Sequence, residues 1–276
     1  MRDTRLIMGM PITVEIVDKE TAPETLDAVF LYFTEVDERF STYKDTSEIS
    51  QLNEALIANG GAPQHVVRST DPRTEQIPRK EPAYSDLAMS EELKEVFKLA
   101  EQTKQETNGY FDITKPNGQL DPSGIVKGWA IQNAAEMLLA RGVTNFFIDA
   151  GGDIQSHGKN SGGKEWSVGI RNPFNQKEIV KIIYPQGRGI ATSGSYERGS
   201  HIYNPHNTAD LLADIISITV VGPNVLEADR FATAAFAMGT TGVTFIENLP
   251  GFEAYSIDKN GTATMTSGFE ALTTPA

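Results

Sequence analysis

Apolar residues repeat at helical spacing between residues 26 and 40 of this chain. They recur every three or four positions, at Leu26, Val29, Phe30, Phe33, Val36 and Phe40. This spacing predicts an amphipathic helix whose apolar stripe must pack against another layer. An extended run at residues 13–17 precedes it and predicts a strand. The chain is therefore expected to combine helices with a sheet.

Further helices are predicted at residues 90–107, 125–140 and 243–248, and around Asp229 up to about Met238. Ser90 is the expected N-cap of the first of these, and Asn108-Gly109 its end. Strand patterns fall at residues 145–149, 166–170, 179–184, 189–192, 215–221, 252–257 and 262–265. This order is not a regular βαβ alternation. It predicts one α+β domain over residues 1–276, with helices on a mixed or antiparallel sheet and a loop or insertion at 59–82.

Charge and composition exclude several classes of partner. Lysine and arginine number 24 and the acids 37, so the formal charge is 24 − 37 = −13. Such a surface repels nucleic acids and anionic lipids. We find no apolar run of membrane-spanning length, no signal-peptide pattern and no cysteine. The expectation is a cytoplasmic protein without a membrane span and without a nucleic-acid partner.

Asp229 and Thr233 lie four residues apart in an alanine-rich run. The spacing places both side chains on one face of a helix, one turn apart. An interior carboxylate needs a partner, and two such oxygens with a backbone carbonyl suit a hard cation such as Mg²⁺. The alternative is structural. Asp229 would then pair with Arg230 or a local amide, and Thr233 would bond to its own helix.

Glycine-rich turns follow two of the predicted strands, at residues 150–153 and 193–195. Glycine at such places lets the backbone approach a ligand closely, although tight structural turns explain the same residues. The sequence contains no Walker A, GxGxxG, HExxH or GxSxG pattern. His201 follows the second turn and either hydrogen-bonds a ligand or anchors a loop.

Several short motifs occur together in a set order along the chain. They are Met8-Gly9, Phe40-Ser41-Thr42-Tyr43, 47–53 (SEISQLN), 109–114 (GYFDIT), Asp121, 124–130 (GIVKGWA), 150–154 (AGGDI), 191–194 (ATSG), 201–205 (HIYNP) and 228–233 (ADRFAT). As a set in register, these motifs resemble the ApbE family over nearly the whole chain. The resemblance implies a T-fold-like α+β domain.

The same resemblance implies an activity, because members of the family are FAD:protein FMN transferases. A threonine or serine hydroxyl of an acceptor flavoprotein would attack the FMN-side phosphorus of FAD, with Mg²⁺ bound and AMP leaving. Two alternatives stay open from the residues. One is an FAD pyrophosphatase that releases FMN and AMP, and the other is a flavin-binding or flavin-delivering protein without turnover.

The family pattern also implies roles for individual residues. Asp229 and Thr233 would be side-chain ligands of Mg²⁺, and Gly124 with Ala232 would offer backbone carbonyls. Lys127 would face the pyrophosphate unless it is a solvated helix-start lysine, and Asp121 would anchor a polar part of FAD. The flavin or adenine pocket would be lined by Met8, Tyr43, Tyr110, Phe111 and Asp112. His201 would contact FAD or assist proton transfer, which makes His201 and Asp229 the expected catalytic residues.

This chain departs from the family pattern at three places. Arg230 stands where many members have Ala or Gly, and we expect it either to face solvent or to add a phosphate contact. Residues 206–209 (HNTA) replace a closing Thr-Gly. Only residues 115–120 separate Thr114 from Asp121, where members usually have a long segment that helps to wall the substrate pocket. The lipid attachment common in the family is not expected here.

Overall fold

An eight-stranded antiparallel sheet is the centre of the computed structural model, which describes residues 1–58, 89–195, 204–206 and 214–275. Its strands lie in the order β1-β2-β3-β4-β7-β8-β9-β10, and β5 and β6 form a separate two-stranded ribbon. The strands are β1 (Arg2–Ile7), β2 (Met10–Ile16), β3 (Phe146–Ala150), β4 (Asp153–His157), β5 (Val168–Asn172), β6 (Asn175–Ile183), β7 (Gly189–Gly194), β8 (Ile215–Gly222), β9 (Glu253–Asp258) and β10 (Ala263–Met265).

Six α-helices belong to the described part of the chain. They are α1 (Pro23–Phe40), α2 (Glu48–Ala58), α3 (Glu91–Glu106), α4 (Ser123–Ala140), α5 (Val225–Ala237) and α6 (Gly242–Glu247). The α+β class is thereby confirmed, and each strand pairing among the described residues is antiparallel. The predicted loop or insertion at 59–82 lies outside the described residues.

The helices cover one face of the sheet because alternate strand residues and helix stripes are both apolar. Ile12 and Val14 of β2 and Ile148 of β3 share one buried cluster with Phe33 of α1 and Ile131 of α4. A second buried cluster joins β7 and β8 to α5 and α6. Burial of these side chains is the main favourable term that holds the helical layer on the sheet.

Part of the second face of the sheet is covered by the β5–β6 ribbon and by the 3₁₀ segment Phe269–Thr273. Val168, Ile170 and Ile183 of the ribbon pack with Ile154 of β4 and Ile190 of β7. Residues with even numbers in β4 therefore face the ribbon, whereas Asp153 and Gln155 face the helices. Gln155 uses this orientation to accept a hydrogen bond from the backbone N–H of Val225 at the start of α5, at 2.9 Å.

Two strands and one α-helix were not predicted from the sequence. β1 is an edge strand whose exposed and half-buried residues carry few apolar side chains. α2 is a short helix of 11 residues, with Ser47 accepting from the Ser50 N–H at its start. β4 buries the polar side chains of Asp153, Gln155 and Ser156, so its sequence has no apolar alternation. In each case the apolar period that identifies an element is weak or absent.

Other predicted boundaries are close to the observed ones. Ser90 caps α3 by accepting a hydrogen bond from the Leu93 N–H, and Asn108 and Gly109 both have positive φ after its end. α4 begins at Ser123, two residues before the predicted start. No helix in the described part of the chain is both long and apolar enough to cross a membrane.

The short link at residues 115–120 is fixed by one distant side chain. Leu120 pairs with Thr114 in an isolated β-bridge, which turns the link back on itself. Asn53 of α2 donates to the Leu120 carbonyl at 3.0 Å and accepts from the Leu120 N–H at 2.8 Å. One amide thus satisfies both backbone groups of a residue 67 positions away.

We expect Asn53→Ala to lower the free energy of unfolding by about 1–3 kcal/mol, because it leaves a donor and an acceptor of Leu120 unpaired. Urea unfolding monitored by circular dichroism measures this loss. Gln105→Ala, which removes an exposed side chain of α3, is the matched control and should stay within about 0.5 kcal/mol of wild type. Equal stabilities of the two variants would contradict the role of Asn53.

Candidate functional site

α4 and α5 approach each other closely where Gly128 faces Asp229. A Cβ added at Gly128 would lie 2.6 Å from the Asp229 Cβ and 2.9 Å from the Val225 carbonyl oxygen. Any side chain at this position would therefore push the two helices apart. Gly124, one turn earlier, lies against Thr233 in the same way, with 3.1 Å between its added Cβ and the threonine methyl. The two glycines allow side chains of α5 to reach the backbone of α4.

Asp229 is buried and bonded to the neighbouring helix. Its Oδ2 accepts a hydrogen bond from the Gly128 N–H at 2.7 Å, across 101 residues of sequence. The structural alternative that paired Asp229 with Arg230 is thus wrong, since the arginine bonds elsewhere. The amide alternative is met, but by an amide of α4 rather than a local one.

Thr233 bonds to α4 as well. Its Oγ1 donates to the Gly124 carbonyl oxygen at 3.2 Å, so the alternative in which it bonds to its own helix is wrong. In a regular α-helix the Gly128 N–H would donate to this same Gly124 carbonyl. Here the Gly128 N–H donates to Asp229, and the Gly124 carbonyl accepts from the Thr233 hydroxyl. A carboxylate, a hydroxyl and a backbone carbonyl therefore lie within one turn of the α4–α5 contact.

Lys127 lies beside this group and is largely buried. Its Nζ is 2.7 Å from Oδ2 of Asp153, a carboxylate with no exposed surface. The other oxygen of Asp153 accepts from the Thr192 N–H at 3.0 Å. Lys127 is thus not the solvated lysine of the alternative interpretation. It joins the first part of α4 to the glycine turn between β3 and β4.

Buried carboxylates exceed buried cations in this region. Burial, followed by repulsion from Asp153, raises the pKa of Asp229 to about 8, although Lys127 and the Gly128 N–H oppose the shift. Burial also raises the pKa of Asp149, against the hydrogen bond that it accepts from Gly152. Asp153 and Asp229 thus compete for the positive charge of Lys127, whereas Arg171 acts on Asp149 more strongly than Lys127 does. Such a site favours the arrival of another cation.

Arg230 neither faces solvent nor is free for a phosphate, which corrects both expectations. Its guanidinium forms ion pairs with Glu227 and with Glu106 of α3. It also donates to the Thr103 hydroxyl at 3.1 Å and lies over the Phe231 ring. The side chain is almost fully buried, because these partners replace its hydration. Arg230 thus ties the end of α3 to α5.

The turn after α3 places the predicted Tyr110, Phe111 and Asp112. Phe111 is buried, and its ring lies 3.2 Å from the Cβ position of Gly124, beside the Thr233 contact. Tyr110 packs edge-on against the His206 ring, with centroids 4.5 Å apart. Asp112 pairs with Lys104 at 2.6 Å. The turn therefore borders the α4–α5 contact through Phe111.

Other predicted site residues lie on separate elements. Asp121 lies two residues before the start of α4 and pairs with Lys115 of the short link at 2.6 Å. Burial opposes its ionisation, but the hydrogen bonds and charge of Lys115, with help from Ser123, lower its pKa. Met8 has a positive φ in the β1–β2 turn, and Tyr43 follows α1 with 95% of its surface exposed.

Ala232 and His201 are the two remaining predicted site residues. Ala232 is buried within α5, where regular helical bonding already uses the backbone carbonyls. His201 lies outside the described residues, so its role stays a prediction. Asp153, which was not among the predicted site residues, also belongs to this region because it pairs with Lys127. Its signal was an acid directly after two glycines at a strand end.

A metal site built from three or more His, Cys, Asp or Glu side chains is not found among the residues that the structure describes. A cation at the α4–α5 contact would instead meet one carboxylate, one hydroxyl and one carbonyl. The groups that converge there are Asp229, Thr233 and Gly124, with Lys127 beside them.

Curated proteins similar to this chain in sequence are named FAD:protein FMN transferases. The chain is 29% identical to the FAD:protein FMN transferase of Salmonella typhimurium, over 58% of this chain and 47% of that protein. It is 25% identical to the FAD:protein FMN transferase of Haemophilus influenzae, over 96% of this chain and 89% of the relative. The chain thus spans about half the length of the first curated relatives that it matches.

Solved structures support the fold. The flavin transferase ApbE from Vibrio cholerae superposes with a TM-score of 0.78 at 22% identity, over 99% of this chain and 98% of that one. The ApbE protein from Thermotoga maritima superposes with a TM-score of 0.79 at 19% identity, over 99% of both chains. The profile of the ApbE family matches residues 8–115 and 113–256. On this match over most of its length, the chain belongs to the ApbE family.

Proposed function

We propose that this protein is a Mg²⁺-dependent FAD:protein FMN transferase. The observation that carries the proposal is the convergence of Asp229, Thr233 and the Gly124 carbonyl beside a buried Lys127. Relatives named for this activity, matched along much of the chain, support it. The whole chain would act as one catalytic domain.

The oxygen groups fit magnesium in type, and the one pair whose separation bears on the fit also matches in spacing. Mg²⁺ takes oxygen ligands at about 2.0–2.1 Å in octahedral geometry, so neighbouring ligands are separated by about 3 Å. The Thr233 Oγ1 and the Gly124 oxygen are 3.2 Å apart. Asp229 would supply the charge, and the excess of buried carboxylates gives the cation a reason to bind. When bound, the cation would draw negative charge from the diphosphate of FAD.

The chain's own residues would then orient the two substrates. Lys127 would hold a diphosphate oxygen at the start of α4, and Asp153 would fix its ammonium. An acceptor Thr or Ser oxygen would form a new bond to the FMN-side phosphorus as the bond to the AMP phosphate breaks. AMP would leave with the electron pair of that bond, and the hydroxyl proton would pass to His201. Positioning and charge supply most of such a rate enhancement.

The proposal also includes roles for the residues that would line the FAD pocket, a further metal ligand, a location and an acceptor. Met8, Tyr43, Tyr110, Phe111 and Asp112 would line the flavin or adenine pocket, and Asp121 would hold a polar part of FAD. Ala232 would complete the metal shell only if its carbonyl left the helix ladder. A cytoplasmic location and an acceptor flavoprotein with a Thr or Ser segment are proposed from the sequence.

Asp229→Asn should reduce covalent flavin transfer by roughly 10²–10³-fold, because the neutral amide cannot offer a charged ligand to the cation. In-gel flavin fluorescence of an acceptor protein, with FAD and Mg²⁺, measures the transfer. Asp27→Asn, on the exposed face of α1, is the matched control and should keep wild-type rates. Mg²⁺-dependent transfer at full rate in the Asp229 variant would contradict the assignment.

The same assay separates the alternative activities in the wild-type protein. A fluorescent acceptor band demonstrates transfer. Release of FMN and AMP without such a band indicates a pyrophosphatase, and bound FAD that stays intact indicates a carrier.

Lys127→Ala should weaken FAD binding by about tenfold or more, because it removes a desolvated cation from the diphosphate site and leaves Asp153 unpaired. Quenching of flavin fluorescence on titration measures the affinity. Lys98→Ala on the exposed face of α3 provides the control. Wild-type affinity in a folded Lys127 variant, checked by its melting temperature, would exclude the phosphate role.

Mg²⁺ affinity should depend on pH through Asp229. The carboxyl must be ionised to bind the cation, and its pKa is raised to about 8 in the metal-free protein. Below that pH binding must release a proton, so the apparent affinity should fall about tenfold for each lower pH unit and level off above pH 8. Isothermal titration calorimetry from about pH 6 to about pH 9 measures this. An affinity that is constant over this range would contradict the coupling.

A further inference from the structure

A pocket lies on the face of the main sheet opposite to α4 and α5. It has a volume of about 410 Å³, within the usual range of ligand sites. Strands β3, β4, β7 and β8 form its floor, and the β5–β6 ribbon forms its wall. Among the described residues, its lining includes none of those assigned above to the dinucleotide or the metal.

The pocket nevertheless belongs to the same end of the sheet as the candidate site. Thr192 lies in its floor, and the Thr192 N–H donates to Asp153 at 3.0 Å. Gly152, also in the lining, directly precedes Asp153, which pairs with Lys127. A molecule in the pocket would therefore be separated from the buried charges by one layer of backbone at the ends of the strands.

The polar lining suits a peptide better than a polyanion. Thr192 and Thr219 bond to each other through their hydroxyls at 2.9 Å, and Ser217 lies beside them in the floor. Asp149 contributes a carboxylate and Arg171 is the cationic side chain among the described lining residues. One charge of each sign cannot neutralise a diphosphate. Hydroxyls and a carboxylate do match the N–H and hydroxyl donors of a polypeptide.

The rim of the pocket is apolar and open. Ile179 and Ile182 of β6 line it while 47% and 54% of their surfaces stay exposed. In the described part of the chain β6 pairs in a sheet with β5 alone, while residues Phe269–Thr273 pack beside its later part, with Lys181 paired to Glu270 and the Tyr184 N–H donating to the Leu272 carbonyl at 2.8 Å. An added strand would therefore pair with the earlier part of β6. An extended segment can add to such an edge and place alternate side chains in the adjoining pocket.

We propose that this pocket docks the acceptor segment, the second macromolecular substrate of the transferase. The inference rests on the proposed function, because only a transfer reaction requires a protein acceptor. The dinucleotide would be held on the helical face and the acceptor on the ribbon face, so that the hydroxyl meets the phosphorus at the strand ends. Each substrate then has its own binding surface.

Ile182→Glu tests this arrangement with little risk to folding, because the side chain is half exposed. A fluorescein-labelled peptide that carries the Thr-containing flavinylation segment of an acceptor is titrated with protein, and its anisotropy gives the peptide affinity. We expect the variant to weaken peptide binding and raise the KM for the acceptor by about tenfold or more. The FAD affinity and the rate at saturating acceptor should stay within about twofold of wild type. Met265→Glu, on the exposed edge strand β10, is the matched control.

Three other results would overturn the docking proposal. Unchanged peptide affinity would leave the pocket without this role, and a parallel loss of FAD affinity would assign it to the dinucleotide. Dimers of the wild type that Ile182→Glu dissociates in sedimentation would assign the rim to a second copy of the chain. Failure of the proposed function gives a different pattern, in which the wild type binds the peptide yet transfers no flavin to it.

Discussion

The close contact between α4 and α5 is the constraint on which the candidate site depends. Two glycines, Gly124 and Gly128, remove the side chains that would otherwise separate the helices. Asp229 can then reach a backbone N–H of α4, and Thr233 a backbone carbonyl of the same helix. The hydrogen bonds compensate for burying polar groups, and the apolar clusters on either side keep the helices pressed together. Structure and candidate chemistry therefore share the same few atoms.

Electrostatics at this contact are unfavourable without a ligand, which is a property of functional sites rather than of cores. Asp153 and Asp229 are buried near each other with Lys127 as the nearby cation, and the pKa of Asp229 is raised to about 8. Arg230, the next residue, is fully engaged by Glu106 and Glu227 and cannot relieve the excess. A divalent cation and a diphosphate would together balance the charges of Asp229 and Lys127. Binding of the cation would then relieve the unfavourable electrostatic free energy of the buried acids, and this relief would favour binding.

Regular apolar periods made much of the fold predictable from the sequence. α1, α3 and α4 and most strands lie where those periods indicate, within a few residues. β1, α2 and β4 were missed because their own apolar period is weak: β1 and β4 are held by hairpin pairing with β2 and β3, and α2 by contacts with Ser90 and Leu120. At the site, spacing placed Asp229 and Thr233 on one helical face. The spacing could not reveal that the partners of Asp229 and Thr233 are backbone groups of α4, because those contacts join residues 101 and 109 positions apart. It also could not reveal the ion pair between Lys127 and Asp153, which are 153 − 127 = 26 positions apart.

The short link at 115–120 is held in place by a side chain of α2. In this chain Asn53 fastens Leu120, three positions before α4 begins. Arg230 fastens the end of α3 to α5 on the other side of the same region. Both attachments bear on the Phe111 turn and the start of α4, which border the Asp229–Thr233 pair. In the proposed transferase, such firm anchoring would compensate for a small pocket wall, because positioning of substrate depends on the rigidity of the groups that touch it.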